Sequence, residues 1–421
     1  MTLAFRPTAC RGCGASIPRP FLDLGSTPLA NSLLAASHLN SKEPVYPLAV
    51  AYCAACHLVQ LTDTVPPEAL FSEYVYFSSF STSFVEHARA MAEELAGSLA
   101  LDAGSRVLEV ASNDGYLLQF FQKKGIPVLG VEPARNIARV AEERGIPTLV
   151  RFFGADAVAE IRDRFGAVDL LIGNNVLAHV PDILGFLGAV QAVLKQGGTA
   201  VFEFPYVRDL LEKSEFDTIY HEHVFYFSLA AVEGLARRTG LQVVDVQHQA
   251  VHGGSLRVHL ARQGARAASE RVESQLAEER REGLCEPARY EAFSSEVTRL
   301  QQSLVAFLRE LRSAGKRLAA YGAPAKGNTL LNSCGIGTEL LEFTVDKSHH
   351  KQGLYLPGSR LPILAPEELV RRQPDCALIL PWNIADEIVS QQQQYIARGG
   401  RFALPIPRVA FHPACDSSQS S

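Results

Sequence analysis

Two Cys-x-x-Cys pairs near the start of the chain place the tightest constraint on how it can fold. Cys10 and Cys13 form the first pair, and Cys53 and Cys56 form the second. Each pair can present two thiolates to one metal ion, and a tetrahedral zinc ion takes four. A redox motif would not need two copies and would lie in a thioredoxin-like βαβ unit, which this region lacks. The spacing therefore predicts a closed, structural zinc site that holds together a small domain at residues 1–72.

Strands that alternate with helices predict the fold of the remaining chain. The first series has strands expected at 106–110, 128–132, 169–173 and 199–204, with helices between them. This order is typical of a parallel, doubly wound α/β sheet, here within residues 73–246. A second alternation begins at residue 317 and predicts another α/β domain.

The second α/β domain is expected at residues 247–410, with a strand at 255–260 that is buried on one face. Its residues 265–313 are charged and helical, so we expect a helical insert there. Residues 411–421 are rich in Ser and Gln and predict a disordered tail.

The charge balance excludes some classes of partner. The 421 residues include 40 Lys and Arg against 45 Asp and Glu, which gives a net charge of −5. That balance, without a dense basic stripe, argues against a nucleic-acid-binding surface. No apolar run is long enough to span a bilayer, and no signal peptide is evident. We expect a cytoplasmic monomer that contacts neither membrane nor nucleic acid.

The loop after the strand at 106–110 has the spacing of a cofactor site. Glu109 is followed at alternate positions by Ala111, Asn113 and Gly115, as in the pattern E-x-G-x-G-x-G with two glycines replaced. Glu132 ends the next strand, where a carboxylate can accept hydrogen bonds from ribose hydroxyls. An NAD(P) site shares that carboxylate, but its pyrophosphate needs glycines for close backbone approach. The loop therefore favours S-adenosylmethionine.

Tyr220-His221-Glu222-His223 is the densest cluster of polar chemistry in an apolar segment. Such a cluster is either a metal site or an acid/base site. No further ligand lies at typical helical spacing, so an acid/base site is favoured over catalytic zinc. An extended segment would place His221 and His223 on one face, whereas a turn would bring Tyr220 and His223 together. The sequence leaves these two conformations open.

Several long motifs, in order along the chain, resemble one enzyme family. Besides the two cysteine pairs, they lie at 21–25, 109–115, 173–179, 203–206, 220–223, 252–257 and 321–328. They are similar to the three-domain sugar C-methyltransferases, which act on nucleotide-activated keto-deoxysugars in antibiotic and surface-glycan pathways. The resemblance extends from Cys10 to about Arg408.

The resemblance implies a zinc-binding domain, a central class I S-adenosylmethionine domain and a C-terminal Rossmann-like domain. The nucleotide sugar, expected to be a dTDP-4-keto-deoxysugar methylated at carbon 3, would lie between the last two. Within the matched motifs, His223 is implied as the base. His179 and Tyr76 are implied as further active-site residues. The 173–179 motif adds Asn174 and Asn175 to the cofactor site.

The C-terminal domain offers candidates for the nucleotide. Residues 322–328 follow a strand and could open a helix whose amides bind phosphate, with Lys326 adding charge and Asn328 alongside. A solvated lysine in a turn is the alternative for Lys326. Trp382 and Asn383 follow another strand end, and Lys351 continues the family pattern.

Methylating carbon requires a base, because a C–H bond has no lone pair to attack the sulfonium. Deprotonation beside a ketone gives an enolate, so the site needs a base and a donor to the developing oxyanion. We assign His223 as base, Glu222 as the group that orients or tunes a histidine, and Tyr220 or His179 as the donor. The rival hypotheses are an RNA methyltransferase with zinc knuckles and a non-catalytic binding module.

Overall fold

The computed structural model describes residues 9–16, 19–67, 70, 78–80, 82–249 and 253–413. Tyr76, an expected active-site residue, lies outside these ranges, and so does most of the expected C-terminal tail. The described chain forms three β-sheets. No helix within the described ranges has the length and apolar character needed to cross a membrane.

The first sheet belongs to the zinc domain but is completed by a distant segment. Its antiparallel order is β1-β2-β3-β9, in which the strands are Leu22–Thr27, Tyr46–Tyr52, Val59–Leu61 and Phe225–Tyr226. Strand β9 follows directly after the Tyr220–His223 cluster. The predicted catalytic segment is therefore hydrogen-bonded to the zinc domain.

The central sheet has seven strands in the order β10-β11-β8-β7-β4-β5-β6. These are, in chain order, Val107–Val110, Val128–Val131, Thr148–Leu149, Val168–Asn174, Leu194–Pro205, Leu241–Gln249 and Ser255–Arg262. Strand β11 runs opposite to the other six strands, so its pairings with β8 and β10 are antiparallel and the remaining pairings are parallel. The strand order reverses between β4 and β7, so their carboxyl ends form the crevice where such sheets bind ligands.

Strand β11 corrects two expectations. It lies between β8 and β10, so the central sheet extends past the predicted domain boundary at residue 246. It is also buried on both faces and not on one. Polar and apolar residues do alternate along this strand, as expected. The polar Arg257 is nevertheless buried, because it pairs with the buried Glu203.

The third sheet has the order β14-β13-β12-β15-β16-β17 and is parallel except for β17. Its strands are, in chain order, Leu318–Tyr321, Thr344–Val345, Ile363–Leu364, Cys376–Ile379, Arg401–Leu404 and Ala410–His412. Strand β17 pairs with β16, so residues 411–413 are ordered and not part of a tail. This sheet reverses its strand order between β12 and β15.

The helices cover the central and the third sheet and their edges. In chain order α1 to α13 are Thr82–Ser98, Leu118–Gln122, Arg135–Glu143, Ala155–Arg164, Ile183–Val193, Val207–Glu212, Leu229–Arg238, Glu270–Arg281, Pro287–Ser313, Ala325–Ser333, Glu367–Arg372, Ala385–Gln391 and Gln393–Ala397. Asp182 and Ser228 cap the starts of α5 and α7 by accepting from backbone amides. Short 3-10 turns at Leu177–His179, Phe216–Thr218 and Trp382–Ile384 flank the expected active site.

Candidate active site

The four cysteines converge to the dimensions of a zinc site. The Sγ atoms of Cys10 and Cys56 are 3.6 Å apart, as are those of Cys13 and Cys53, and all four lie within 4.8 Å of one another. A tetrahedral ion with Zn–S bonds of about 2.3 Å would place its sulfurs about 3.8 Å apart. The donor set therefore fits zinc and leaves no open coordination position. Gln60 lies against it and donates to the sulfur of Cys10 at 3.0 Å.

The cofactor loop explains why glycine is expected at alternate positions. Ala111, Asn113 and Gly115 all have left-handed backbone, with φ of 54°, 50° and 78°. Only glycine adopts this conformation without cost, and asparagine tolerates it better than alanine. The two replaced glycines keep the backbone path of the loop, at the price of local strain at Ala111.

We expect Ala111→Gly to stabilise the protein by about 0.5–1 kcal/mol, because it relieves the left-handed alanine. The matched control is Ala159→Gly in α4, where the alanine is exposed and helical. There glycine should lower the free energy of unfolding by about 1 kcal/mol. Chemical unfolding followed by circular dichroism measures both. Equal destabilisation by both variants would contradict the strained loop.

Glu132 holds the cofactor loop in place. Its two oxygens accept from the amides of Asn113 at 3.0 Å and Ala134 at 2.9 Å. Burial raises the pKa of Glu132, and these two hydrogen bonds oppose that rise. Each carboxylate oxygen can accept more than one hydrogen bond, so capacity for a ribose remains.

The crevice between β4 and β7 contains buried acceptors that lack donors. Among the described residues, Glu109 Oε2 and Asn174 Oδ1 are buried without a hydrogen-bond partner. Burial raises the pKa of Glu109 well above its usual range. Asn175, next to Asn174, is left-handed, and its amide donates to the carbonyl of Glu203 at 2.7 Å. Unpaired buried polar atoms are costly, so this site fits a polar ligand that exchanges hydrogen bonds with them, as S-adenosylmethionine can.

A short segment before α1 covers the cofactor loop. The amide of Ser78 donates to Asn113 Oδ1 at 2.9 Å, and the Ser79 hydroxyl donates to the buried Asp114. Arg144 pairs with the same Asp114 carboxylate at 2.9 Å. These contacts, which the sequence did not indicate, close one side of the cofactor crevice.

The Tyr220–His223 segment is a turn, which decides between the two conformations that the sequence left open. The amide of His223 donates to the carbonyl of Tyr220 at 2.8 Å. As a result the Tyr220 hydroxyl lies 2.9 Å from His223 Nε2, and their ring centroids are 4.1 Å apart. His179 packs beside them, with its ring centroid 4.9 Å from that of His223.

Backbone carbonyls set the tautomers of both histidines. His223 Nδ1 lies 2.8 Å from the carbonyl of Thr218, and His179 Nδ1 lies 2.6 Å from the carbonyl of Glu222. A carbonyl only accepts, so each Nδ1 carries the proton and each Nε2 is the basic nitrogen. The hydroxyl of Tyr220 accordingly donates to His223 Nε2. Neutral His179 cannot donate to a ketone from Nε2, so this tautomer disfavours its expected role as oxyanion donor.

Both imidazoles are neutral at physiological pH. Burial, together with the nearby His179, lowers the pKa of His223 to about 3, and burial lowers that of His179 to about 4. Tyr220, His223 and His179 nonetheless keep part of their surface exposed, whereas His221 and Glu222 are buried. The three partly exposed rings are therefore the members of the cluster that a substrate can reach.

His221 and Glu222 face the zinc domain. His221 Nε2 contacts the carbonyls of Tyr46 and Pro47 at 3.3 and 3.2 Å. Glu222 Oε1 accepts from the amide of Asn31 at 2.6 Å. The Glu222 carboxylate therefore contacts Asn31 and not a histidine. Glu222 instead orients His179 through its backbone carbonyl.

The C-terminal domain contacts the Phe216–Thr218 segment, just before the Tyr220–His223 turn, through Trp382. Its indole N–H donates at 2.7 Å to the buried Asp217, the residue before Thr218. Lys326 lies over the Trp382 ring, 4.8 Å from its centroid, and contacts Asn383 at 3.5 Å. The predicted substrate residues Lys326, Trp382 and Asn383 therefore form one group beside Asp217, close in sequence to the predicted catalytic turn.

Two other predicted substrate residues have different surroundings. Asn328 is 1% exposed, and its amide donates to the carbonyl of Ala30 in the zinc domain at 3.0 Å, which argues against direct contact with a substrate. Lys351 donates to the carbonyl of Ala323 at 2.8 Å. It also lines a cavity of about 200 Å³ with Tyr321, Asp346 and Pro381, at the carboxyl ends of β12, β13 and β15.

Comparison with known proteins assigns the chain to a family. Residues 10–71 match a zinc binding domain family, residues 84–246 a methyltransferase domain family, and residues 250–407 a C-methyltransferase C-terminal domain family. The C-methyltransferase NovU of Streptomyces niveus is 39% identical over 399 residues, which cover 94% of this chain and 95% of NovU. The chain belongs to the three-domain C-methyltransferase family.

Other similarities are confined to the central region. The ubiquinone biosynthesis O-methyltransferase of Ruegeria sp. strain TM1040 is 33% identical over 103 residues, which cover 24% of this chain and 40% of that enzyme. The crystal structure of PH0226 from Pyrococcus horikoshii OT3 has a TM-score of 0.35 and 16% identity, over 45% of this chain and 95% of that one.

Membership of the C-methyltransferase family confirms the fold class and both cofactors. The central domain is a class I methyltransferase domain that takes S-adenosylmethionine, and the four cysteines form the structural zinc site. Asn31 contacts Glu222 in the Tyr220–His223 turn, and Asp217 holds Trp382 just before that turn, yet neither was a candidate from the sequence. Neither lies in a motif with recognisable chemistry, because their partners are distant along the chain.

Proposed function

We propose that this C-methyltransferase deprotonates the carbon next to the ketone of a nucleotide-linked 4-keto-deoxysugar and methylates the resulting enolate. A dTDP sugar methylated at carbon 3 is the preferred substrate. The observation that supports this proposal is the group of Tyr220, His223 and His179. These side chains combine neutral imidazoles with fixed tautomers, and they are partly exposed within the cofactor domain.

The proton transfer follows from the hydrogen bond between Tyr220 and His223. The C–H bond breaks and its electron pair stays on the sugar as the enolate, while the proton passes to the Tyr220 oxygen. In the same step the original hydroxyl proton of Tyr220 moves to His223 Nε2, 2.9 Å away. His223 becomes an imidazolium whose Nδ1–H still donates to Thr218. S-adenosylmethionine, when bound, supplies an electrophilic methyl group to the enolate carbon.

The C-terminal domain supports the nucleotide part of the proposal. Gly322 is left-handed and leads into α10, whose start carries Lys326. The cavity beside it lies where the strand order of the third sheet reverses, which is the usual ligand position in open α/β sheets. The positive charge of Lys326 suits the phosphates of a nucleotide, and the nearby cavity offers room for another part of it, which a small ketone without a nucleotide would not need.

Solvent exchange tests the proposed step without methyl transfer. The enzyme would be incubated in deuterated water with S-adenosylhomocysteine, which lacks the methyl group, and with a panel of 4-keto sugar nucleotides. We expect deuterium at the carbon beside the ketone of the true substrate, because the base acts before the methyl group moves. Labelled S-adenosylmethionine then identifies the methylated carbon. Absence of both exchange and methylation across the panel would contradict the proposal.

A further inference from the structure

One loop of the zinc domain lies where the three domains meet. It follows β1 and contains Ala30 and Asn31. The Asn31 amide donates to Glu222 on the catalytic turn at 2.6 Å. The carbonyl of Ala30 accepts from Asn328 on α10 of the C-terminal domain at 3.0 Å. Two adjacent residues of the N-terminal domain thus contact both of the other domains.

Glu222 needs the hydrogen bond from Asn31. Glu222 is 6% exposed. Among the described residues, Asn31 donates the side-chain hydrogen bond that its carboxylate accepts. Burial raises the pKa of Glu222, and the hydrogen bond from Asn31 opposes that rise. A buried carboxylate that loses its donor must take up a proton or move toward water.

Movement of Glu222 would reach the reacting groups directly. Its backbone carbonyl accepts from His179 Nδ1 at 2.6 Å and thereby fixes which nitrogen of His179 is basic. His223 is the next residue, and the Tyr220–His223 turn includes Glu222. The position of the Glu222 side chain therefore affects the orientation of both histidines.

We propose that Asn31 is a positioning residue for proton abstraction, supplied to the active site by the zinc domain. It acts through Glu222, and it holds the turn so that His179 and His223 keep their Nδ1–H tautomers. This inference rests on the proposed function for its effect on turnover. Asn31 itself is exposed, so replacing it should leave the fold intact.

The kinetic test compares Asn31→Ala with a control at the same domain junction. Glu43→Ala removes a zinc-domain contact to Arg360 and to the amide of Gly358, neither of which touches the turn. We expect Asn31→Ala to lower kcat by about 100-fold with little change in KM, since misplacement of reacting groups costs about that much. Glu43→Ala should stay within about twofold of the wild-type kcat, because the contacts it removes lie at the domain junction and not at Glu222. Equal losses in the two variants would show that Asn31 only docks the domains.

The variant Asn31→Asp provides a second test, through the pH dependence of its activity. It is nearly isosteric but sets a second carboxylate against Glu222, and two such groups share a proton at low pH. Activity of Asn31→Asp should therefore recover as the pH falls, relative to the wild type at each pH. A flat ratio across the pH range would overturn the positioning role.

A measurement without substrate separates this inference from the proposed function. Two-bond 1H–15N spectra of labelled enzyme report the imidazole tautomers. We expect the Nδ1–H tautomer for His179 in the wild type and in Glu43→Ala, and its loss in Asn31→Ala. If the sugar panel gives no turnover, the spectra still decide the role of Asn31. An unchanged His179 tautomer in Asn31→Ala would overturn it.

Discussion

Replacing His223 with glutamine is expected to lower kcat by about 10²- to 10⁴-fold, the range found when a general base is removed. Its Nε2 is the acceptor of the Tyr220 hydroxyl, and glutamine offers no basic nitrogen there. The dissociation constant of S-adenosylmethionine should not change, because the cofactor loop lies on the other side of the crevice, after β4. Steady-state kinetics and calorimetry measure the two quantities on the same preparation.

His221→Gln is the matched control for His223→Gln, since it makes the same change two residues earlier in the same turn. His221 is 2% exposed and contacts the carbonyls of Tyr46 and Pro47, so its loss should reduce stability and leave kcat within a few-fold. If His223→Gln still exchanged the sugar hydrogen with solvent and His179→Gln did not, the base would be His179 and not His223.

The pH profile of the wild type provides a second check on His223. The neutral imidazole is the active form, and burial lowers the pKa of His223 to about 3. Activity should therefore be retained as the pH falls through 6.5 and be lost only at lower pH. An acid limb centred near 6.5 would indicate a solvent-exposed base.

Removal of zinc is expected to abolish turnover while S-adenosylmethionine still binds. The apparent binding free energy of structural zinc in small domains is about 10–16 kcal/mol, so the zinc domain should not stay folded without the metal. Its sheet includes β9, in which Phe225 pairs with Gln60 directly after the catalytic turn. The cofactor loop belongs to the central sheet and does not depend on that strand.

Cys56→Ser, with Cys285→Ser as its control, tests the zinc prediction by substitution. Cys56 is one of the four clustered thiols, whereas Cys285 lies outside the cluster. Elemental analysis should show loss of zinc only in Cys56→Ser, in parallel with loss of turnover. A zinc-free protein with wild-type kcat would contradict the link between the zinc domain and the catalytic turn.

Local patterns in the sequence were sufficient for the features that depend on neighbouring residues. The cysteine pairs indicated the zinc site, and the spacing of Glu109, Ala111, Asn113 and Gly115 indicated the cofactor loop, because each pattern reflects local backbone geometry. The same spacing could not show that Ala111 is left-handed, since alanine gives no sign of that conformation.

Features that depend on contacts between distant parts of the chain could not be predicted from local sequence patterns. Strand β9 has only two residues and exists because β3 pairs with it. The four residues of the Tyr220–His223 segment are too few for periodicity to separate a strand from a turn. Asn31 carries no local signal, because its partner Glu222 is brought near only by the folded domains.

Strand β9 joins the first sheet from a distant part of the chain, and this limits how domains can be exchanged between related enzymes. Three separate family models divide the chain near residues 71–84 and 246–250, as if its parts were interchangeable. Yet the N-terminal sheet is complete only when a segment more than halfway along the chain has been synthesised and folded against it. Until then, the edge of β3 is unpaired. A chimera that exchanged the first seventy residues alone would join a sheet to a foreign last strand, so these enzymes should recombine as whole proteins and not as modules.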